Sequence, residues 1–368
     1  MGTMPARVSI IGAGPAGSTA AILLARGGLD VTVIEQHRFP RDKVCGECLS
    51  AAGIAVLDRI GLSKQILDLG TVIFTHAAIY SPDGNSVRVR LPRPMWGLSR
   101  HRLDGFLLET ARQCGATLLQ PARCEGIEGG AKPTIRIRML DSNRLVMQMP
   151  NRVIVADGKG ALLRPPPPHG NDFGIKAHFE DVDGPRDTIE LFGCDGLYGG
   201  LAAIEGGRWN AAFSVPAERL KRHRGNVAGL FAEIVAENPA LGKRLSRARR
   251  IGTWLAAPLP RFAVRDGWAA GVIPVGNAAA ALEPIGGEGM GLALQSAETA
   301  AASLMDGSFD DSRARPLPDQ FRSLWRTRRP ACRAAALLVS RPNLAGALVP
   351  LLNGWPSLAR LGLRLLGK

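Results

Sequence analysis

The sequence predicts an α/β fold. A parallel sheet with helices on its faces is interleaved with a second, mostly antiparallel sheet, and a helical C-terminal extension follows. Three observations carry this reading. Val8 to Glu35 runs as a strand, a glycine turn, a helix and a second strand ending in an acid. Two later apolar strands, Arg152 to Ala156 and Ala269 to Val275, each end in a polar turn beside which a ligand could lie. Between them, from Asn171 to Pro260, the texture changes to short runs suited to antiparallel pairing.

The first segment is the most informative. Gly12, Gly14 and Gly17 fit G-x-G-x-x-G, with Pro15 and Ala16 opening the helix. Gly12 permits the tight turn, Gly14 lets a pyrophosphate approach the backbone, and Gly17 lets the helix pack on the strand. The helix start offers free N–H groups and a positive dipole end to phosphates. Glu35 stands at the end of the second strand, where a carboxylate accepts ribose hydroxyls.

Along the chain, 36–50 is polar and aperiodic and reads as a loop. Ser50 caps a helix to Ile60. Thr71 to Tyr80 and Ser86 to Leu91 form a hairpin about Ser81-Pro82-Asp83-Gly84. A helix opens at Ser99 with Leu103, Phe106, Leu107, Thr110 and Ala111 on its inner stripe. Strands are expected at Thr117–Leu119, Ile135–Met139 and Leu145–Met149. The proline run after Arg164 is a stiff crossing between domains. Further strands are expected at Gly174–Phe179, Thr188–Phe192, Tyr198–Ile204, Trp209–Val215 and Arg250–Ala257, with a helix over Asn226–Glu237 and another over Gly291–Met305. The domain reading is 1–70, 92–165 and 258–310 for the nucleotide-binding domain, 71–91 and 166–257 for the antiparallel substrate domain, and 311–368 for the extension.

Composition narrows the function. At 368 residues and 46% hydrophobic content the chain can bury a large core. No apolar run spans a bilayer and nothing at the start resembles a signal peptide, so a cytoplasmic setting with reduced cysteines is expected. The formal charge of +14 suits anionic ligands or an anionic membrane face. Aromatics are 5% and form no stacking series, which argues against nucleic acid. The histidines show no triad or metal spacing, and no metal is expected. Leucines alternate with arginines after Leu337. This suits either peripheral membrane contact or a helical extension packed on the core.

Three separated segments converge on one ligand: Gly12–Gly17 with Glu35, then Asp157-Gly158, then Gly276-Asn277 ahead of the glycine-rich run 284–291. A simple NAD dehydrogenase needs only the first. The later two imply a longer ligand across the sheet, as FAD requires. On these motifs the chain resembles the flavoprotein family of geranylgeranyl reductases and FAD-dependent hydroxylases, which shares the Rossmann-like fold of p-hydroxybenzoate hydroxylase. V-I-V-A-D-G-K-G resembles the family's D-G motif and V-I-P-V-G-N-A-A its G-D motif. R-F-P-R-D-K-V-C-G-E and P-I-G-G-E-G-M-G resemble the geranylgeranyl-reductase versions.

The resemblance implies roles. Glu35 and Gln36 lie at the adenosine. Arg41 and Lys43 stand on the loop near the flavin, and Cys45 and Gly46 pass close to its ring. Arg100 contacts FAD, Asp157 and Gly158 lie near the pyrophosphate, and Asn277 stands where the family usually has Asp. Its side-chain carbonyl keeps one acceptor. From Gly286 to Gly291, including Gly287, Gly289 and Met290, backbone N–H groups at a helix start would bond the ring, with glycines leaving it room. Glu288 faces the ring or solvent, or serves as a helix-start acid. Cys45 and Cys48 read as a flavin-coupled dithiol or, with more support, as a family cysteine followed by a small residue.

Tyr198 holds the place of a tyrosine in prenyl reductases, but Gly200 replaces their tryptophan. The W-x-W-x-I-P segment of flavin halogenases is missing, which disfavours halogenation. The expected activity is hydride transfer through flavin N5 to a small apolar substrate of isoprenoid or polyketide type, bound near Tyr198 and Trp209, with NAD(P)H or another reductant supplying electrons. Cys45, Glu288 and Tyr198 are the catalytic candidates. An aromatic hydroxylase is the alternative, and a non-catalytic flavin- or lipid-binding protein is the third.

Overall fold

A computed structural model describes residues 5–158, 162–163, 172–260, 262, 264–265, 267–307 and 316–365. The expected stiff crossing at 164–169 lies outside them. In chain order the strands are β1 (Arg7–Ile11), β2 (Asp30–Ile34), β3 (Cys48–Leu49), β4 (Val72–Tyr80), β5 (Ser86–Gly97), β6 (Thr117–Leu119), β7 (Ala122–Glu128), β8 (Thr134–Met139), β9 (Leu145–Gln148), β10 (Arg152–Val155), β11 (Asp172–Glu180), β12 (Thr188–Cys194), β13 (Leu197–Ala203), β14 (Trp209–Pro216), β15 (Arg249–Pro258) and β16 (Val272–Pro274). The helices are α1 (Pro15–Arg26), α2 (Ala51–Arg59), α3 (Ser63–Asp68), α4 (Arg100–Gln113), α5 (Ala217–Arg222), α6 (Val227–Glu237), α7 (Pro239–Leu245), α8 (Gly289–Met305), α9 (Leu317–Trp325), α10 (Arg328–Val339), α11 (Pro342–Gly354) and α12 (Pro356–Leu365).

Among the described residues the strands form three sheets. The first is all parallel, in the order β16-β10-β1-β2-β6. Its strands are apolar because both faces are covered, with Val8, Ile10, Val31, Val33 and Ile154 buried. All five strands end on the same side, which is where a ligand binds in such sheets. The second sheet has the order β15-β11-β14-β13-β12-β4-β5-β3 and is antiparallel except for β12 against β4. The third is the meander β7-β8-β9.

The two glycine-dependent contacts of the first turn are explicit. Gly12 has φ +101°, and a Cβ there would lie 2.5 Å from the Ala156 carbonyl at the end of β10. A Cβ on Gly17 would lie 1.8 Å from the Gly12 carbonyl. Helix caps follow residue chemistry. Ser99 accepts from Arg102 N, Asn226 from Gly229 N, and Asn238 from Ala240 N and Leu241 N. Ser50 stands at the expected cap of α2, but its hydroxyl makes no capping bond.

β5 runs on to Gly97, six residues past the expected Leu91, so it crosses the boundary read at 91/92. β3 also joins the second sheet from within the nucleotide-binding stretch. The sequence reading did not include β3, α3, β7, α5 or α7. α10 packs against β12 and β13, and α11 and α12 pack against β5. No single helix among the described residues is long and apolar enough to cross a membrane.

Candidate functional site

The second sheet has two unlike faces. Directly opposed residues in antiparallel strands share a face. Tyr198 pairs with Ser214 and Gly200 with Ala212, while Ala202 pairs with Asn210. Those residues pair in turn with Gly174, Lys176 and His178 of β11. This face therefore carries Tyr198, Ser214, Asn210, Lys176 and His178 over a floor of small residues. The opposite face carries Phe213, Ala211 and Trp209, buried under Leu230, Phe231 and Ile234 of α6. Trp209 is thus corrected as a substrate contact. It faces away from Tyr198, and five residues separate the two along the strand pair, about 17 Å.

The loop 42–47 lies on the polar-bearing face. A Cβ on Gly174 would meet Val44 at 2.5 Å. Asn210 Nδ2 donates to the Cys45 carbonyl at 3.0 Å, and Lys176 Nζ to the Lys43 carbonyl at 3.3 Å. Glu47 locks the loop. Its Oε1 accepts from Lys176 Nζ at 2.5 Å and from Arg100 N at 2.8 Å, while Oε2 lies 2.7 Å from His178 Nε2. Glu47 is fully buried at φ +56°, a left-handed conformation in which a non-glycine residue is unfavourable. Burial alone would raise its carboxyl pKa, but the His178 hydrogen bond and the Lys176 charge outweigh that and hold it below the ordinary range. His178, which showed no functional spacing in the sequence, is a buried hydrogen-bond partner of Glu47. Asp42, Glu47 and His178 cluster closely enough to suggest a metal. Lys176 Nζ already supplies the cation there, 3.7 Å from Asp42 and 2.5 Å from Glu47.

Arg41, Lys43 and Arg100 converge beside the glycine turn, against the acids Asp104 and, on Arg41, Glu35. Arg100 holds Asp104 through Nε at 2.7 Å and Nη2 at 2.5 Å, and is also hydrogen-bonded to Cys45. A Cβ on Gly14 would meet only Arg100 Nη2, at 3.8 Å, and one on Gly158 would lie 3.2 Å from Lys43 Nζ. Burial, then Arg100 and Arg41, lower the Lys43 pKa to about 8. Arg41 Nε is buried without a hydrogen-bond partner, as is Asn210 Oδ1. Excess buried positive charge and unmet polar atoms beside an open Gly14 fit the diphosphate and polar ring edge of FAD.

Other expected residues fall into place around this centre. Glu35 is buried and accepts from Ala13 N at 2.9 Å and His37 N at 2.7 Å, which leaves about half of its acceptor capacity for a ribose. Gln36 is exposed and accepts from Arg123 Nε at 3.2 Å. Asp157 lies two residues past the end of β10 and accepts from Leu162 N at 3.4 Å. Gly276 has φ +58°, and a Cβ on it would lie 3.1 Å from Ala16. That close approach sets the exposed Asn277 beside the start of α1. The Gly276 N–H donates to Ser296 Oγ at 2.9 Å, a bond no local pattern announced.

At the far end, Gly287 is left-handed at φ +62°, and a Cβ on Gly289 would have open space. The glycine at 291 has a different cause. A Cβ there would lie 2.1 Å from Ser50 Oγ, so this glycine serves the contact of α8 with α2 rather than room for the ring. Met290 buries its side chain in the core, leaving only its backbone for a ligand. Glu288 is buried, with its carboxylate 3.9 Å from Arg328 Nε of α10, so it does not face solvent. Neither Cys45 nor Cys48 is in a disulfide. Cys45 packs against the core of the first domain and Cys48 belongs to that of the second sheet, which disfavours the dithiol reading. A Cβ on Gly200 would lie 2.5 Å from the Glu190 carbonyl, so the tryptophan of prenyl reductases does not fit there. Glu47, Lys176, Asn210 and Glu283 were not singled out from sequence. The one available signal was Lys176 and His178 alternating with apolar residues along a strand.

Residues 5–164 match the family described as FAD binding domain. Over 394 residues the chain is 27% identical to a menaquinone reductase of Mycolicibacterium smegmatis, covering 98% of this chain and 91% of that one. Among solved structures, a flavin-dependent brominase superposes with a TM-score of 0.81 at 19% identity, covering 99% of this chain and 94% of that one. A geranylgeranyl bacteriochlorophyll reductase-like protein of Thermoplasma acidophilum gives 0.77 at 20% identity, covering 96% and 92%. At those identities the structural likeness speaks for the fold alone, so the brominase does not restore halogenation. The chain is an FAD-dependent oxidoreductase, similar to the geranylgeranyl reductase and p-hydroxybenzoate hydroxylase type.

Proposed function

We propose that this oxidoreductase reduces a double bond of an apolar substrate of isoprenoid or polyketide type. The observation that carries the proposal is the sheet face described above. Gly200, Ala202 and Ala212 make a smooth floor, and the 42–47 loop and the 283–291 segment border it. An apolar chain gains about 25 cal/mol per Å² by covering such a surface. The near full-length relative is named for reduction, which supports this over hydroxylation.

FAD, once reduced by NAD(P)H or another donor, would supply the hydride. The chain's own residues bind and orient. Arg41, Lys43 and Arg100 would neutralise the diphosphate, and Glu35 would take the ribose. The Glu47 clamp fixes the 42–47 loop, and the N-terminal end of α8 favours negative charge on the ring. Under anaerobic conditions, chemically reduced holoprotein should be re-oxidised by a prenylated or polyketide-type alkene. Strict dependence on oxygen, with hydroxylated product, would establish the hydroxylase instead.

We also propose that α11 and α12 rest on an anionic bilayer. Leu351, Trp355, Leu358 and Leu361 are exposed beside Arg360 and Arg364, in a chain of charge +14. An apolar face flanked by cations and carrying a tryptophan suits that interface.

A further inference from the structure

We propose that Tyr198 delivers the proton that completes the reduction, and that Glu283 resupplies it from solvent through the groove at Arg333. The proposal rests on the reductive reading above. Tyr198 Oη lies 3.4 Å from Glu283 Oε1, and Glu283 Oε2 lies 3.3 Å from Arg333 Nη1 of α10. Glu283 immediately precedes the 284–291 segment, so the pair sits where the floor of the sheet meets the expected ring. Tyr198 and Glu283 are buried, whereas Arg333 is exposed. Arg333 lines an open groove of about 880 Å³ together with Arg326, Arg329 and Trp325. Buried phenol, buried carboxyl and exposed guanidinium therefore form one line from substrate floor to water.

The competing donors on this face are committed elsewhere. Lys176 and His178 both hold Glu47. Tyr198 is flanked by small residues and keeps its hydroxyl toward Glu283, with Ser214 beside it. The groups facing Glu283 are Tyr198 from β13, Arg333 from α10 and Asp172 from β11. Burial pushes the Glu283 carboxyl up, Arg333 draws it back, and Asp172 adds to the rise. Burial, then the Glu283 charge, keep the Tyr198 phenol protonated well past its ordinary range.

The step balances. A reduced flavin, once bound, would supply the hydride that forms a C–H bond at one carbon of the double bond. The π electron pair takes the Tyr198 proton at the other carbon, leaving a phenolate. The Glu283 carboxyl returns a proton to Tyr198, and groove water reprotonates Glu283. A 3.4 Å separation in the absence of ligand is long for such a transfer, and catalytic hydrogen bonds tighten in the complex.

The chain has two tyrosines, so a Tyr80→Phe background isolates Tyr198 for ultraviolet titration without cofactor or substrate. The phenol should titrate above the free value of about 10. Adding Glu283→Gln should lower that midpoint. An unchanged midpoint overturns the relay. In reduced holoprotein, Tyr198→Phe should slow substrate reduction by about 100-fold, with FAD affinity within about twofold of wild type. Glu283→Gln should abolish the fall in rate that wild type shows as pH rises through the Glu283 pKa, which burial lifts above the ordinary carboxyl value. Wild-type turnover matched by Tyr198→Phe, solvent isotope effect included, would overturn the relay and leave the reductase standing. A wild type that reduces no candidate would remove both.

Discussion

Lys43 shows how one residue ties charge to cofactor. It is held at a pKa of about 8 by burial and then by Arg100 and Arg41, with too little negative charge nearby to balance the three. A bound diphosphate would favour the ammonium form and raise that pKa. Protonation and FAD binding should therefore be coupled. Affinity should weaken as pH rises above about 8, and binding at pH 8 should take up protons from buffer. Flavin fluorescence titrations at several pH values, with calorimetry in two buffers, measure both. Lys43→Met should weaken binding and flatten the dependence on pH. An unchanged slope would place the diphosphate elsewhere. Glu47 represents a second kind of residue. Its place in the left-handed region is kept for its carboxylate, which joins the loop to Lys176 and His178 of β11, some 130 residues away in sequence.

At the scale of elements, glycine sets how closely α2 and α8 approach. A Cβ on Gly53 would lie 2.9 Å from Gly291 Cα, and one on Gly291 would lie 2.1 Å from Ser50 Oγ. Gly291→Ala should cost about 1–3 kcal/mol. Combining it with Ser50→Ala should cost less than the sum of the two single changes, because the clashing oxygen is gone. Denaturant melts of the four proteins give the coupling, and strict additivity would contradict the contact. What was legible in the sequence follows the same scale. The β1–α1–β2 unit and its glycines were readable because every contact in it is local. Tyr198 and Trp209 were put side by side, but they take opposite faces of the sheet. Which face a strand residue takes depends on register against partners that a sequence does not display. His178 was set aside for the same reason, since Glu47 reaches it only after β11 folds over the loop. Gly291 was credited to the flavin because local spacing cannot distinguish room for a ligand from room for a neighbouring helix.

On the scale of the whole molecule, the C-terminal helices close one side of the polar-bearing sheet face and present leucines outward. Trp355 is 61% exposed and Leu361 53%, next to Arg360 and Arg364. Leu358→Glu with Leu361→Glu should lower co-sedimentation with vesicles rich in anionic lipid several-fold while flavin content stays constant. Equal sedimentation would assign that face to something other than a bilayer. The proposed reductase holds FAD in a cationic cradle beside an apolar floor. Its most direct test is the absorption spectrum of the purified protein through anaerobic reduction, followed by addition of a prenylated alkene without oxygen. Flavin bands should bleach on reduction and return with the alkene alone, in proportion to saturated product. Bands that return only with oxygen, through a transient flavin adduct and hydroxylated product, would contradict it.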